Sequence, residues 1–575
     1  MQKRWIVKDA ADQSQAEQLA KAINVDVALA ALLIQRGIGT YDQAKDFFRP
    51  SLKDLPDPFL LKDMDHAVRR LALAIAREEK ILVYGDYDVD GTTSVALMYG
   101  FLKQIYTSVD YYIPDRYQEG YGISEQGIQY ATEHGCSLII SLDCGIQAIN
   151  LVNEARKLGI DFIIGDHHRP GENLPPAHAI INAKQAGCQY PYKELCGCGV
   201  TFKFLQAFCQ ETRRPMGNLY PFLNLVAVAI AADIVPITGE NRILAHYGLR
   251  ALNQSPQPGL KALVEVAGLH FPLTIDNVVF GIAPRINAAG RMGHAKAAVE
   301  LLLASDETTA THLAAQLNQQ NSQRREHDTD VTQQAIAMIQ KDRRLEQAHS
   351  TVLFDSSWHK GVVGIVASRC IEQYYRPTVI LTESNGKATG SARSVQGFDV
   401  YEAISDCADL LDQFGGHTHA AGLTLSVDKV PLFQKKFEAS VAQKITKDQL
   451  VPCIDIDQQI DLSDITARFY GVLKQLAPFG PGNMRPVFMS EDLEVVGHPQ
   501  VLKEKHLKFT VQQRGTNDRL DAIGFGMAHF CERICDRQSF SMVYSVEENH
   551  FNGHTSLQLA IRDIQTTLAH TEFAK

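Results

Sequence analysis

Residues 81–94 read Ile-Leu-Val-Tyr-Gly-Asp-Tyr-Asp-Val-Asp-Gly-Thr-Thr-Ser. The apolar run 81–84 predicts a short buried strand that stops at Gly85. Asp86, Asp88 and Asp90 follow within one turn, and Gly91 and Thr92 open a helical pattern through Ala96, Leu97 and Phe101. Alternate positions of an extended segment face the same way. Three carboxylates on one side of one loop repel each other unless a cation lies between them. Taken alone, the stretch also suits a solvated acidic turn with Asp90 as a helix cap.

Working outward, the pattern from about 66 to 235 is strand, helix, strand. A helix over 66–78 leads into the opening strand. A second strand, 108–113, is followed by Pro-Asp-Arg-Tyr at 114–117. A third, 137–142, ends in Asp143-Cys144-Gly145, and a helix over 146–158 returns to a fourth, 161–164, ending in Gly165-Asp166-His167-His168. Near-continuous Ile/Leu/Val runs alternating with helices predict a parallel sheet buried on both faces. In open α/β sheets, ligands bind at the carboxyl ends of strands. The three acidic or histidine clusters are therefore expected to converge, joined by Asp233 at the end of the apolar helix 222–232. Carboxylate oxygen with imidazole nitrogen suits Mn²⁺ or Mg²⁺ better than Zn²⁺. The donors suffice for two ions. Asp143, on a central strand, is the expected bridge, and one histidine binds metal while its neighbour faces phosphate.

The 575 residues, 45% of them apolar, can bury several cores, and three or four domains are expected. No apolar run reaches the ~20 residues of a membrane span. The N-terminus shows no signal-peptide apolar core, so a cytoplasmic protein is expected. Eleven scattered cysteines fit reduced thiols. The tightest group, Cys188, Cys196, Cys198 and Cys209, lacks paired C-x-x-C knuckles and reads as small buried residues rather than a zinc or iron–sulfur site. A net charge of −10 argues against coating nucleic acid by bulk charge, though not against locally placed positive charge.

Residues 1–50 read as helices (12–23, 27–36) capping the following domain, with a proline-marked loop after them. Residues 281–292 carry Arg285 and Arg291 around a Gly/Ala-rich turn, suited to a phosphate backbone or to an ordinary surface turn. A polar helical stretch from about 306 to 345 is long enough to bridge domains. Its Arg324 and Arg325 are read as solvated charge or as facing the cleft. A second α/β unit follows over 351–425: strand 351–354, then Trp358-His359-Lys360-Gly361, strand 377–381, Gly390-Ser391-Ala392-Arg393-Ser394, and Phe414-Gly415-Gly416-His417. Its glycines let backbone N–H groups approach an anion, and Ser391 and Arg393 can aim at one phosphate. From 451 to 575 period-two segments predict a small β-barrel. There Lys503, Lys505, His506 and Lys508 beside Phe509, with Phe525 and Phe551, suit either a stacking groove or a core.

Asp-Tyr-Asp-Val-Asp-Gly at 86–91, Asp-Cys-Gly at 143–145, Asp-His-His at 166–168 and Ala-Asp-Ile-Val-Pro at 232–236 resemble, in order and in strand context, the four motifs of the DHH phosphoesterase superfamily. By position, the resemblance implies metal ligands Asp88, Asp90, Asp143, His167 and Asp233, with Asp86 and His168 supporting and Asp166 orienting. The second unit resembles the DHHA1 domain, whose Gly-Gly-His loop (Gly416, His417) lines the substrate cleft. The implied architecture is α/β and multi-domain. An N-terminal helical cap spans 1–65, a DHH parallel-sheet catalytic domain 66–240, and a helical region with a long connecting helix 241–345. A DHHA1 domain over 346–450 and an OB-fold β-barrel over 451–575 complete it. That order resembles the superfamily's single-strand-specific 5′→3′ exonucleases, as does Leu476-Ala-Pro-Phe-Gly-Pro-Gly-Asn483. It implies a two-metal (Mn²⁺ or Mg²⁺) nuclease that degrades single-stranded DNA to 5′-mononucleotides in repair and recombination. The cleft admits one strand, the OB-fold holds it, and Arg116, Arg291, Ser391 and Arg393, with Arg285, form a pocket for the 5′ end. Single-strand-binding protein and a helicase are the implied partners. The alternatives are a short-oligonucleotide or cyclic-dinucleotide phosphodiesterase of the same superfamily and a non-catalytic replication scaffold. The full set of metal-competent side chains speaks against the scaffold.

Overall fold

The computed structural model describes residues 3–535, 539–551 and 553–566. They form two compact units, one of Ser51–Ile445 with Gly480–Gly482, the other of Met1–Pro50, Thr446–Phe479 and Asn483–Lys575. Among the described residues, no helix is long and apolar enough to cross a membrane.

The chain opens with strand β1 (Arg4–Val7) and helices Gln13–Ile23, Val27–Gln35 and Tyr41–Phe48. In the larger unit the first sheet contains β2 (Lys80–Gly85), β3 (Val109–Tyr112), β4 (Cys136–Leu142), β5 (Asp161–Gly165) and β6 (Ala179–Ile181), all parallel, in the order β3-β2-β4-β5-β6. Alternation sorts each strand's side chains between two cores. Ile81, Val83, Leu138, Ile140 and Ile163 face one layer of helices, while Leu82, Tyr84, Ile139, Phe162 and Ile164 face the other. Both faces are thus dry, and the wet part of the sheet is its carboxyl edge.

A second, mixed sheet holds β7 (Thr351–Phe354), β8 (Thr378–Ser384), β9 (Lys387–Arg393), β10 (Gln413–His417) and β11 (Ala420–Ser426), in the order β10-β11-β9-β8-β7. The 35-residue helix Glu307–Lys341 serves both sheets. Its Ala310, Ala314 and Leu317 belong to the first core, and its Val331, Ala335 and Ile339 pack with Leu353, Trp358 and Val366.

One expectation is corrected in this unit. The Gly/Ala-rich stretch around Arg285 and Arg291 is helical, a π-turn Val278–Ile282 running into helix Ala283–Met292. Its small residues permit close packing: a Cβ on Gly290 would lie 2.7 Å from the Tyr87 carbonyl oxygen. Ser391 and Arg393 stand on strand β9, and being two apart they share a face.

The smaller unit adds β12 (Cys453–Ile456), β13 (Gln458–Gln459), β14 (Phe488–Leu502), β15 (His506–Gln513), β16 (Arg519–Gly524), β17 (Phe540–Phe551) and β18 (His554–Thr566). The order β14-β15-β16-β18-β17 closes through a β14–β17 pairing into a barrel. Residues 1–50 belong to this unit. β1 pairs in parallel with β12, and Leu29 and Leu32 enter the barrel core beside Phe469 and Leu493. Phe509 is a core residue as well, 3% exposed, so it lines no groove; Phe525 and Phe551 are exposed. Lys508, one position away from Phe509 on β15, takes the outward face.

Candidate metal centre

The wet edge of the first sheet collects the acidic and imidazole groups. Beyond β2, Asp88 caps helix Val89–Lys103, its Oδ1 accepting from the Gly91 N–H at 3.0 Å. The cap is therefore Asp88, not Asp90. Gly91 has no room for a side chain, because a Cβ would lie 2.4 Å from the Asp86 carbonyl oxygen. Asp90 points inward, and both its oxygens are received by backbone amides, Gly197 at 2.6 Å and Cys198 at 2.8 Å. These amides open helix Gly197–Glu211, whose N-terminus favours an anion. Asp143 follows β4 with φ of 58°, a left-handed conformation that turns its carboxylate toward this helix. A Cβ on Gly197 would lie 2.6 Å from the Asp143 Cβ.

His167, after β5, is the hub. Its Nε2 lies 3.1 Å from Asp143 Oδ1, 3.7 Å from Asp90 Oδ2 and 3.6 Å from Asp233 Oδ2. Donor atoms of Asp90, His167 and Asp233, and of Asp143, His167 and His168, lie within 4.8 Å of one another. Asp166 works behind them. Its Oδ1 accepts from the His168 ring at 2.8 Å and from the backbone N–H groups of His167 and His168, and its Oδ2 accepts from Ile146 N–H. The other side of the His168 ring meets the Tyr121 hydroxyl, 3.2 Å from Nε2.

The electrostatics are those of an acidic cavity awaiting positive charge. Burial, then Asp88, pushes the Asp86 carboxyl well above its ordinary range. Burial, then Asp90, does the same to Asp143. Burial with Asp90 and Asp88 lifts Asp233 to about 8, and burial with Asp88 lifts Asp90 to about 6 against the pull of the helix amides. Burial and the neighbouring His168 hold His167 neutral, down to about 3. Burial also opposes charge on His168, but the Asp166 hydrogen bond and charge outweigh it and lift the ring to about 9. Both Asp86 oxygens, Asp143 Oδ1 and His167 Nε2 are buried with no hydrogen-bond partner. Such groups cost stability unless something pairs them, and hard divalent cations fit oxygen-rich donors with imidazole. The four cysteines weighed as a metal site are buried, and the Cys196 sulfur accepts from Gly199 N–H.

Beside the acidic centre stands a basic one. Arg116 lies over the Tyr87 ring at 5.1 Å. Arg291 donates to the Gly361 carbonyl at 2.9 Å, and burial with Arg116, Arg324 and Arg393 nearby pushes its guanidinium down to about 10. Arg393 reaches the Ser391 hydroxyl and the Ala392 carbonyl. Arg324 and Arg369 share the buried Asp328, so Arg324 is not a solvated charge. The structure thus brings Arg116, Arg291, Ser391 and Arg393 together. Arg285 is engaged elsewhere, its three guanidinium nitrogens donating to Asn318 and to the carbonyls of Gly281 and Val266. His417 is exposed at the end of β10, and Gly416, with φ of 153°, could not carry a Cβ, which would lie 2.3 Å from the Ala420 carbonyl oxygen. The sequence reading misses the helix amides on Asp90 and the close approach of Gly197. The Gly-Cys-Gly before an apolar helix is their local trace.

Family models match along the chain in order: the DHH family N-terminal domain over residues 80–230, the DHHA1 domain over 347–443 and the RecJ OB domain over 456–563. The single-stranded-DNA-specific exonuclease RecJ of Bacillus subtilis is 37% identical over 564 residues, covering 97% of this chain and 70% of the relative. The chain belongs to the RecJ family. Two solved RecJ structures from Thermus thermophilus share its architecture. The complex with Mn²⁺ has a TM-score of 0.84 at 28% identity, covering 98% of this chain and 79% of the other. The complex with Mg²⁺ has a TM-score of 0.76 at 26% identity, covering 98% and 78%. Those are the two ions that the donor set of this RecJ-family chain suits on chemical grounds.

Proposed function

We propose that this protein is a metal-dependent exonuclease that degrades single-stranded DNA from the 5′ end, releasing 5′-mononucleotides. The observation that carries the reading is the buried set of unpartnered carboxylate and imidazole atoms around His167, set beside a pocket of arginines. Asp88, Asp90, Asp143, His167 and Asp233 hold Mn²⁺ or Mg²⁺, two ions in all, with Asp86 supporting them. When bound, such a pair supplies an activated water and positive charge for the phosphoryl oxygens. Asp166 fixes the His168 ring, which faces the phosphate as a charged donor. Arg116, Arg291, Ser391 and Arg393 take the terminal phosphate, setting polarity, and His417 and Gly416 line the cleft beside them. A cleft between the two sheets of one unit admits a single strand and excludes duplex, and Lys508 on the barrel contacts the backbone of that strand. The setting is cytoplasmic repair and recombination, alongside a single-strand-binding protein and a helicase.

The test is one time course on 5′-labelled and 3′-labelled single strands, duplex and dinucleotide, each with Mn²⁺, Mg²⁺ or EDTA. Release of labelled mononucleotide first from the 5′ end of single strands, abolished by EDTA, is the expected result. Preferential cleavage of dinucleotide, or activity in EDTA, would overturn it.

A further inference from the structure

A pocket of about 470 Å³ lies against the arginine cluster, lined by Tyr117, His327, Asp330, Trp358, His359 and Lys360, among others. That volume is within the range of small-molecule sites. Its wall is shared with the proposed terminal-phosphate pocket. The Tyr117 hydroxyl donates to the Arg291 carbonyl, and Gly361, two residues beyond His359, accepts from the Arg291 guanidinium. Gly361 is needed for this contact, since a Cβ there would lie 2.8 Å from both the Arg291 carbonyl oxygen and the Tyr117 hydroxyl. Lys360 and His359 both feel the charge of Arg116.

The lining combines exposed side chains with aromatic rings. The imidazoles of His327 and His359 are nearly parallel, 17° apart with centroids at 5.5 Å, and the Tyr117 ring meets His359 edge-on at 6.1 Å. Trp358, 4% exposed, forms the floor and is fixed by its indole N–H donating to Gln334 at 2.8 Å. Aromatic faces suit a planar base, which stacks with a gain of about 1–3 kcal/mol in single-strand binders. Lys360 offers a cation near Arg116, and Asp330 and Glu383 offer acceptors. Aromatic surface and a cation bordering the arginines are the complements of the base and the phosphate of a nucleotide.

We infer that this pocket binds a nucleoside carried on a phosphate that lies in the arginine cluster. Two sources share that chemistry: a nucleotide joined through a pyrophosphate to the 5′ end of a DNA strand, and a free nucleoside monophosphate. The inference rests on the terminal-phosphate reading of Arg116, Arg291 and Arg393.

The test is equilibrium binding to the full chain in EDTA, so that strands stay intact. The probes are a 5′-phosphorylated single strand, the same strand 5′-adenylated, and free AMP. They are measured on wild type, His327→Ala, Asp330→Trp and Arg393→Ala; His327 and Asp330 are exposed helix positions outside the metal centre. If the pocket takes a strand-borne nucleotide, wild type holds the adenylated strand at least as tightly as the phosphorylated one. His327→Ala and Asp330→Trp then weaken only the former, by about fivefold or more. If it takes a free nucleotide, AMP binds and the same two variants weaken it, without preference for the adenylated strand. Neither variant moving either ligand, or an adenylated strand bound tenfold more weakly than the phosphorylated one together with no AMP binding, overturns the inference. Arg393→Ala reads the other pocket. If it leaves the phosphorylated strand's affinity unchanged, the terminal-phosphate reading fails, whatever the His327 arm shows.

Discussion

The larger unit contains two clusters of like charge, and they are built differently. In the acidic centre the charges are held by backbone N–H groups: Asp90 by Gly197 and Cys198, Asp166 by Ile146, His167 and His168. In the basic pocket they are held by carbonyl oxygens, Arg291 by Gly361 and Arg393 by Ala392. In each case the backbone fixes the side chains without neutralising them, so each cluster keeps a demand for a ligand of opposite sign. The difference lies in how protons respond. Carboxylates raised toward neutral pH give up protons when a cation arrives. Guanidiniums stay charged and offer a fixed fork to a phosphate.

Asp143→Ala should break the acidic half most severely. Loss of a central ligand removes several kcal/mol of charge stabilisation, about 10³-fold or more in Mn²⁺-dependent turnover. The metal-free variant should melt no lower than wild type, because a buried like charge has gone. Gly197→Ala tests the scaffold behind that centre. Its Cβ would press on Asp143, and Mn²⁺ affinity or turnover should fall about 10–100-fold. Normal Mn²⁺ affinity in that variant would show that the helix can retreat. Arg393→Ala belongs to the basic half. Digestion of 5′-phosphorylated strands should slow about tenfold, the worth of a charge-assisted hydrogen bond, with Mn²⁺ affinity unchanged. Equal loss on 5′-hydroxyl strands would dissolve the distinction between the two clusters.

The smallest effect is on stability. Asp233, lifted to about 8 in the fold, binds more protons there than in the unfolded chain, where a carboxyl titrates near 3.9. His168, lifted to about 9, acts in the same direction. The metal-free protein should therefore lose about 2 kcal/mol through Asp233, and more through the partly exposed His168, as pH rises from 6.5 to 9. Saturating Mn²⁺ should remove that slope in denaturant melts. Stability rising with pH over this window would place the proton uptake elsewhere.

The acidic centre is legible in the sequence because each of its contributors ends a continuous apolar strand or helix. Ile81–Tyr84 and the runs before Asp143 and Asp166 announce burial, and the first polar residue after each announces the wet edge. The basic pocket comes from a loop, a helix and a strand with no local pattern in common, so Arg116, Arg291 and Arg393 emerge through family resemblance, and Arg285, which resembles them in type, faces the protein. Gly290, inside helix Ala283–Met292, looks like part of a turn because its reason, the Tyr87 carbonyl, lies about 200 residues away in sequence. Period-two alternation marks β15, yet the face on which Phe509 lies depends on barrel closure. The N-terminal helices give no sign of their partner, since β1 pairs with residues some 449 positions later, Arg4 with Cys453.

That pairing has a consequence for synthesis on the ribosome. Nearly every residue of the nuclease unit is translated before the first fifty residues meet the strand that completes their module. The emerging chain must keep Leu29 and Leu32 away from competing apolar surfaces throughout that interval, and a chain cut short near residue 450 leaves them permanently without their core.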